Sequence, residues 1–156
     1  MPALAKMLVV DDAPADWKLA LRSVGEHAAK ETLVVKDKES ALDFLHARGS
    51  FQRRAAGLPA VVVLGSSLHR LAAFALLKEI RADTKLRRLP VVMIAAAPDA
   101  DMIKNAYEHG VNSLVRRHDD VKLRTERYAA LALFWAWANE PPPGSRHLPK
   151  SPQPAA

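Results

Sequence analysis

Five short apolar runs, rich in β-branched residues, are the feature of this sequence that most restricts its fold. They occupy residues 7–10, 33–35, 60–64, 91–95 and 113–115. The runs are almost continuously apolar instead of alternating between apolar and polar residues, which is typical of strands covered on both faces. A parallel sheet with helices on both sides covers its strands in this way. We therefore predict five buried strands.

Amphipathic helical patterns follow the apolar runs. Pro14 suits a first helical turn, and Trp17 and Leu21 then share one face at a spacing of four residues. Asp119 or Asp120 is placed to cap the last helix. A strand and a helix alternating five times predict an α/β fold, namely a doubly wound, flavodoxin-like parallel sheet in the order 2-1-3-4-5 with five helices.

The chain length fits one domain. Its 156 residues are enough for one full hydrophobic core but not for two comfortable ones. Three successive prolines at 141–143 prevent the last helix from continuing. We predict a folded domain over residues 5–140 and a flexible, proline-rich tail over residues 141–156.

Composition excludes several kinds of site. The chain has no cysteine, so it forms no disulfide, thiolate zinc site or cysteine nucleophile. Its net charge of +6 favours acidic partners only weakly, and no nucleic-acid-binding motif accompanies that charge. The longest apolar run, residues 128–138, has about half the length of a membrane span. We expect a soluble, cytoplasmic protein with no membrane contact.

The carboxyl ends of the predicted strands bring a group of residues to one edge of the sheet. In doubly wound sheets, sites form at this edge, beside the switch in strand order. The residues expected there are Asp11, Asp12, Gly65, Ala95 and Arg117. This edge is therefore the candidate site.

Several motifs resemble the receiver domains of two-component response regulators. The stretch 8–16 (LVVDDAPAD) resembles the first strand of that family with its acidic pair, and 89–94 (LPVVMI) resembles the fourth strand. Further stretches, which resemble the single-domain subgroup associated with phytochrome-type histidine kinases, are 41–45 with Gly49, 110–113 and 135–143. The resemblance covers residues 6–140, and it implies a CheY-like fold and a role in two-component signalling.

This sequence lacks the residues on which phosphorylation depends in that family. Receivers use a carboxylate nucleophile after strand three, a hydroxyl after strand four and a lysine after strand five. The matching positions are Gly65, Ala95 and Arg117, and Leu114 stands at the aromatic switch position of strand five. Gly65 has no side chain, so no acyl phosphate forms there. The resemblance implies a degenerate pseudo-receiver with no catalytic residue and no enzyme activity.

Two hypotheses concern the acidic pair. One is a residual Mg²⁺ site at Asp12. Against it, glycine at position 65 removes a metal ligand, and Mg²⁺ binds poorly without a full octahedral set, so we expect no cofactor. The other hypothesis is that Arg117 pairs with Asp11 or Asp12 and neutralises the two carboxylates. The acids that follow His118 are interpreted as a helix cap instead of a metal cluster.

Residues 128–138 are apolar on all sides of the predicted helix. A helix of this kind needs burial on two sides, and the domain covers only one of them. Large aromatic side chains suit the core of an interface, and the resemblance implies a homodimer through the fourth helix, fifth strand and fifth helix. The predicted interface residues are Tyr107, Leu114, Leu131, Phe134, Trp135 and Trp137. An alternative is that the proline-rich tail covers this segment.

These observations predict a single-domain response regulator that works by phosphorylation-independent binding to a histidine kinase or another signalling protein. Two alternatives of other classes stay open. One is an active phosphoacceptor that uses a non-standard acidic residue such as Asp11 or Asp12. The other is a nucleic-acid binder that uses the basic surface, part of which lies before strand four at Lys85, Arg87 and Arg88.

Overall fold

The computed structural model describes residues 5–145, which contain one five-stranded parallel sheet. The strands are β1 (Met7–Val10), β2 (Thr32–Val35), β3 (Val61–Leu64), β4 (Val91–Ala95) and β5 (Ser113–Arg116). The sheet order is β2-β1-β3-β4-β5, and every neighbouring pair of strands is parallel. The predicted α/β fold and its strand order are confirmed.

The described residues form six α-helices instead of the five predicted. They are α1 (Ala15–Val24), α2 (Glu26–Lys30), α3 (Lys38–Leu45), α4 (Arg70–Ala82), α5 (Ala100–Glu108) and α6 (Val121–Ala132). Gly25 separates α1 from α2, because its φ of 129° and ψ of 166° are not helical and a positive φ of this size favours glycine. None of the described helices is both long and apolar enough to cross a membrane.

Two hydrophobic layers enclose the sheet, one on each face. Val10 and Leu64 belong to the layer that also contains residues of α3 and α4. Val9 and Val63 point the other way, into the layer formed with α1 and α6. Since both faces are covered, every residue of β1, β3 and β4 is buried, which explains their continuous apolarity.

Side-chain caps set the starts of three helices. Asp37, Asp99 and Asp120 each accept a hydrogen bond from the backbone N–H three residues later, at 2.8, 2.8 and 3.0 Å. The hydrogen bond from the Ser40 N–H lowers the pKa of the Asp37 carboxyl. Asp120 is therefore the cap of α6, and α1 begins one residue after Pro14, as expected.

The chain leaves α6 through a wider helical turn and then returns to the domain. Leu133–Ala138 form a turn of π-helix, in which the Asn139 N–H donates to the Phe134 carbonyl at 2.6 Å. Farther on, the Gly144 carbonyl accepts the Leu58 N–H at 3.0 Å. The first residues of the predicted tail thus contact the domain, and residues 146–156 lie outside the described part of the chain.

Candidate functional site

The carboxyl ends of the strands bring the predicted site residues to one edge of the sheet. Gly65 follows β3 and donates its backbone N–H to the Val10 carbonyl at 2.8 Å, beside Asp11. Farther along the same edge, where β4 and β5 end, the Arg117 N–H donates to the Ala95 carbonyl at 2.8 Å. The parallel pairing of the strands therefore brings these residues to the predicted edge of the sheet.

The carboxylate of Asp11 is buried and engaged by three donors. Asp11 is only 4% exposed. Its Oδ1 accepts the Ala13 N–H at 2.9 Å and also the Ser67 hydroxyl. Its Oδ2 accepts the indole N–H of Trp17 at 3.3 Å. These hydrogen bonds replace the hydrogen bonds to water that the carboxylate loses when it is buried.

The side chain of Asp11 fills the space beside Gly65. A Cβ atom added to Gly65 would lie 2.6 Å from both the Cβ and the Cγ of Asp11. Real Cβ atoms essentially never show contacts under 3.0 Å. Glycine is thus needed for the close approach of these two loops, and the position is closed instead of open.

Ser67 is a site residue that the sequence analysis did not single out. Its hydroxyl accepts the Asp12 N–H at 2.9 Å and donates to the Asp11 carboxylate, so it ties both acids to the loop after β3. Trp17 was assigned only to the core, although its indole N–H also reaches this site. The sequence shows only that Ser67 has a hydroxyl and lies two positions after Gly65. It does not show that the loop turns this hydroxyl toward Asp11 and Asp12.

The residues at this edge do not fit the divalent cation that receiver chemistry implies. Mg²⁺ prefers several oxygen ligands in octahedral geometry. Asp11 is engaged by N–H and O–H donors, Gly65 contributes no carboxylate, and Asp12 is left as the one exposed acid of the pair. Within residues 5–145, no group of three His, Cys, Asp or Glu side chains is arranged to hold a metal ion.

Arg117 does not pair with Asp11 or Asp12, so that hypothesis is wrong. Its Nη2 lies 4.0 Å from the Oδ2 of Asp16, which is in the first turn of α1. The physical reason is that neutral donors already engage the buried carboxylate of Asp11, whereas Asp16 faces the cations beside α6.

Arg124 is the principal partner of Asp16. Its Nε lies 2.9 Å from Asp16 Oδ2, and its Nη1 donates to the carbonyls of His118 and Asp119 at 3.1 and 3.0 Å. We expect Arg124→Ala to lower the free energy of unfolding by about 2 kcal/mol, because it removes several charge-assisted hydrogen bonds at once. Urea unfolding at neutral pH measures the loss.

Arg117→Ala is the matched control for Arg124→Ala because it removes the same charge near the same carboxylate. We expect it to cost less than about 0.5 kcal/mol, since its ion pair is long and partly exposed. Equal losses in the two variants would contradict the assignment of Arg124 as the main partner of Asp16.

Trp17 and Tyr128 connect α1 to α6 beneath the site. Their rings stack with centroids 4.4 Å apart and planes inclined by 19°. Both side chains are buried, at 0% and 1% exposure. Burial raises the pKa of the Tyr128 hydroxyl, and a hydrogen bond with the Ser66 side chain opposes that shift. The phenol is therefore neutral at neutral pH, and the stack links the indole that donates to Asp11 with the last helix.

Two groups of the predicted interface residues each contain an exposed aromatic side chain, whereas Leu114 and Trp135 are partly buried against the core. After α6, Phe134 is 53% exposed and packs edge-on against Trp135, with ring centroids 5.1 Å apart. Leu133 beside it is 50% exposed. On α5, Tyr107 is 50% exposed, and its hydroxyl accepts the N–H of Leu114 on β5 at 3.3 Å. Both groups are accessible to a partner.

Leu131 and Trp137 contact the domain itself. Leu131 is 6% exposed and belongs to the same buried layer as Tyr128, so its assignment to a partner interface is wrong. The reason is that these two residues, three positions apart on α6, share the face toward the sheet. Trp137 is partly buried against this layer, and the ammonium of Lys6 lies 4.9 Å from its ring centroid.

Comparison with known proteins gives the family of the chain. No family model matches the sequence. The chain is nevertheless 30% identical over 110 residues to chemotaxis protein CheY-3 of Vibrio cholerae, and this alignment covers 70% of the chain and 78% of that protein. The chain belongs to the CheY-like receiver family of response regulators. As a receiver, it is a component of two-component signalling.

This receiver is also similar to regulators associated with phytochromes. Response regulator Rcp1 of Synechocystis is 25% identical over 133 residues, which cover 83% of this chain and 87% of that protein. The solved bacteriophytochrome response regulator RtBRR is 37% identical, with a TM-score of 0.63, and the match covers 91% of this chain and 86% of that one. The similarity therefore includes nearly all of the described sheet and helices.

Proposed function

We propose that this receiver acts by binding a histidine kinase or another signalling protein and does so without accepting a phosphoryl group. The observation that carries the proposal is the Asp11 side chain, which occupies the space beside Gly65. A phosphoaccepting carboxylate at position 65 would need that same space. The protein would then be a pseudo-receiver, a cytoplasmic regulator with no enzymatic activity of its own.

Apart from the exposed carboxylate of Asp12, each group that would serve phosphoryl transfer at this edge is missing or engaged. Gly65 offers no nucleophile, and Ala95 offers no hydroxyl. The guanidinium of Arg117 lies toward Asp16. A carboxylate nucleophile must approach phosphorus in line, with the charge on the phosphoryl oxygens neutralised. Both oxygens of Asp11 accept hydrogen bonds instead, and position 117 holds arginine where the family has lysine.

We expect incubation with acetyl phosphate and Mg²⁺ to leave the intact mass of the protein unchanged. The reason is that the nucleophile position is Gly65 and the buried acid beside it is engaged. Mass spectrometry of the whole protein is the measurement, and a chemotaxis receiver that has its aspartate is treated in parallel as the positive control. A gain of one phosphoryl group would contradict the proposal.

Two substitutions would locate an unexpected acceptor. Asp12→Asn removes the exposed carboxylate of the pair, and Asp11→Asn removes the buried one, while each preserves the size of the side chain. Loss of the added mass in only one of the two variants would assign the phosphoryl group to that residue. The protein would then be an active phosphoacceptor with a non-standard acid.

The exposed aromatic surface after α6 supports a protein partner. Leu133 and Phe134 expose about half of their surface side by side. Adjacent exposed apolar side chains of this size are typical of the core of an interface. The contact with Trp135 restricts the Phe134 ring, which reduces the entropy lost on association.

The partner proposed first is a second copy of the chain, with contacts from this surface and from Tyr107 on α5 and Leu114 on β5. A histidine kinase is the other expected partner. Since the name of the similar regulator RtBRR refers to a bacteriophytochrome, a phytochrome-type kinase is the candidate to test.

We expect the protein to associate with increasing concentration, and Phe134→Ser to weaken the association constant by about tenfold or more. Truncation of a large aromatic side chain at the centre of an interface costs more than about 1 kcal/mol. Sedimentation equilibrium over a concentration series measures this change. Leu19→Ser, at a 47% exposed position on α1, is the matched control.

Equal weakening in the Phe134 and Leu19 variants would place the interface elsewhere. A wild-type protein that stays monomeric throughout the series would exclude the homodimer. In that case, the same two variants would be compared in a pull-down with a phytochrome-type histidine kinase.

A further inference from the structure

A polar cavity of about 330 Å³ lies at the end of the sheet opposite the acidic pair. Its walls come from the loop 83–90, which leads into β4, and from residues 142–145 after α6. The polar residues that line it are Thr84, Lys85, Arg87, Arg88 and Ser145. Because β4 starts at Val91, the cavity lies beside the amino ends of the strands, whereas Asp11 follows a carboxyl end.

The three cations of this cavity have no acidic partner among the residues that the structure describes. Lys85, Arg87 and Arg88 are exposed, and none of them forms an ion pair with another residue in the described range 5–145. The residues outside that range contain no Asp or Glu. Asp83, the acid of the same loop, accepts the backbone N–H of Lys85 at 2.7 Å and lies 3.8 Å from His46. Three like charges held side by side attract an anion.

The loop that carries these cations is held in one conformation. Besides the bond from the Lys85 N–H to Asp83, the Nη1 of Arg81 donates to the carbonyls of Arg87 and Leu89 at 3.0 and 2.7 Å. Leu89 is buried at 2% exposure and fixes the end of the loop in the core. A backbone that is already fixed reduces the entropy lost when side chains close on a ligand.

The opposite wall of the cavity is also fixed. The Leu58 N–H donates to the Gly144 carbonyl at 3.0 Å, and the Ser145 N–H donates to the Pro142 carbonyl at 3.2 Å. Ser145 is only 7% exposed, and the adjacent prolines restrict the backbone. Two fixed segments therefore form the walls of the cavity that the three exposed cations line.

We propose that this cavity binds a small anion with several phosphate charges, such as the oligophosphate chain of a nucleotide. Arginine guanidinium groups bind phosphate oxygens through paired hydrogen bonds, and lysine adds a point charge. The hydroxyls of Thr84 and Ser145 are further donors on the same walls. The volume of about 330 Å³ is in the range of small-molecule sites.

A nucleic-acid backbone suits this cavity less well than a compact anion does. Nucleic acid requires a basic track that follows many phosphates. A second basic group lies at the opposite end of the sheet, where Arg116 ends β5 and the Arg127 Nη1 donates to its carbonyl at 2.9 Å. The two groups are separated by the length of the strands and do not form one track.

A calorimetric titration with inorganic pyrophosphate at constant ionic strength measures the binding affinity and tests the proposal. We expect saturable binding that weakens by about tenfold or more in the double variant Arg87→Ala/Arg88→Ala, because each guanidinium contributes charge-assisted hydrogen bonds. Lys18→Ala/Arg22→Ala removes the same charge from α1 and should bind like the wild type. Arg87→Lys/Arg88→Lys retains the charge and should bind with intermediate affinity, since paired hydrogen bonds are lost.

Absence of saturable pyrophosphate binding would overturn the proposal, and so would equal weakening in the α1 variant. A single-stranded oligonucleotide forms the second arm of the experiment. Binding of the oligonucleotide without binding of pyrophosphate would also overturn the proposal, because the phosphate would then be recognised only as a polymer. Thermal unfolding checks that every variant folds, and pyrophosphate should raise the Tm of the wild type but not that of Arg87→Ala/Arg88→Ala.

Discussion

Replacing Gly65 with alanine is expected to lower the free energy of unfolding by about 2 to 3 kcal/mol, although it adds a single methyl group. The added Cβ would lie 2.6 Å from the Cβ and Cγ of Asp11. Neither backbone is free to move away, since the Gly65 N–H donates to Val10 and the Asp11 N–H donates to Val35, both at 2.8 Å. Denaturant unfolding of the wild type and the variant measures the loss.

A double-mutant cycle identifies Asp11 as the cause of this loss. In an Asp11→Gly background the clashing side chain is absent, and Gly65→Ala should then cost less than about 1 kcal/mol. The same cost in both backgrounds would contradict the explanation. Gly65→Asp adds a second carboxylate against the first, so we expect it to destabilise more than alanine does and to leave the protein unphosphorylated.

Replacing Trp17 with alanine is expected to have the largest effect of any single substitution discussed here, about 3 to 5 kcal/mol of unfolding free energy. Trp17 is fully buried, stacks on Tyr128 and donates its indole N–H to Asp11. The alanine variant loses all three contributions. Urea unfolding monitored by far-ultraviolet circular dichroism measures the loss of unfolding free energy without relying on tryptophan fluorescence.

Trp17→Phe separates the packing of the ring from the hydrogen bond to Asp11. Phenylalanine preserves an aromatic ring beside Tyr128 but leaves Asp11 Oδ2 without its indole donor, which costs about 1 to 3 kcal/mol for a buried acceptor. Trp135→Phe, at a partly buried position outside the site, is the matched control and should cost less than about 1 kcal/mol. Similar losses at positions 17 and 135 would show that the Asp11 hydrogen bond contributes little.

The fold could be predicted because its determinants are local in the sequence. A continuous apolar run such as 61–64 requires cover on both faces, and caps such as Asp99 and Asp120 mark helix starts by their own hydrogen bonds. Gly25 is the exception, because the helical pattern around it did not show that its φ is positive. A single glycine inside an amphipathic pattern has no unambiguous meaning until its backbone angles are known.

The sequence was also enough to predict which residues lie at this edge of the sheet, but not what their side chains contact. Asp11 and Gly65 follow strands, Ala95 ends one, and a parallel sheet brings the ends of its strands to one edge. Which donors reach the Asp11 carboxylate depends on the path of the loop after β3, which brings the Ser67 hydroxyl to the acidic pair. Helical periodicity placed Trp17 in the core without revealing the direction of its indole N–H.

The sequence by itself determined the parallel sheet, its strand order and the absence of a carboxylate at Gly65, since these follow from residue types and their spacing along the chain. Only the tertiary structure decided that Asp11 closes that position and that Arg117 faces Asp16 instead of the acidic pair. It also showed that Leu131 faces the core. The physical reason is that hydrogen bonds and ion pairs require atoms to meet within about 3 to 4 Å. Residues distant in the sequence reach such distances only once the loops and helices between them are packed.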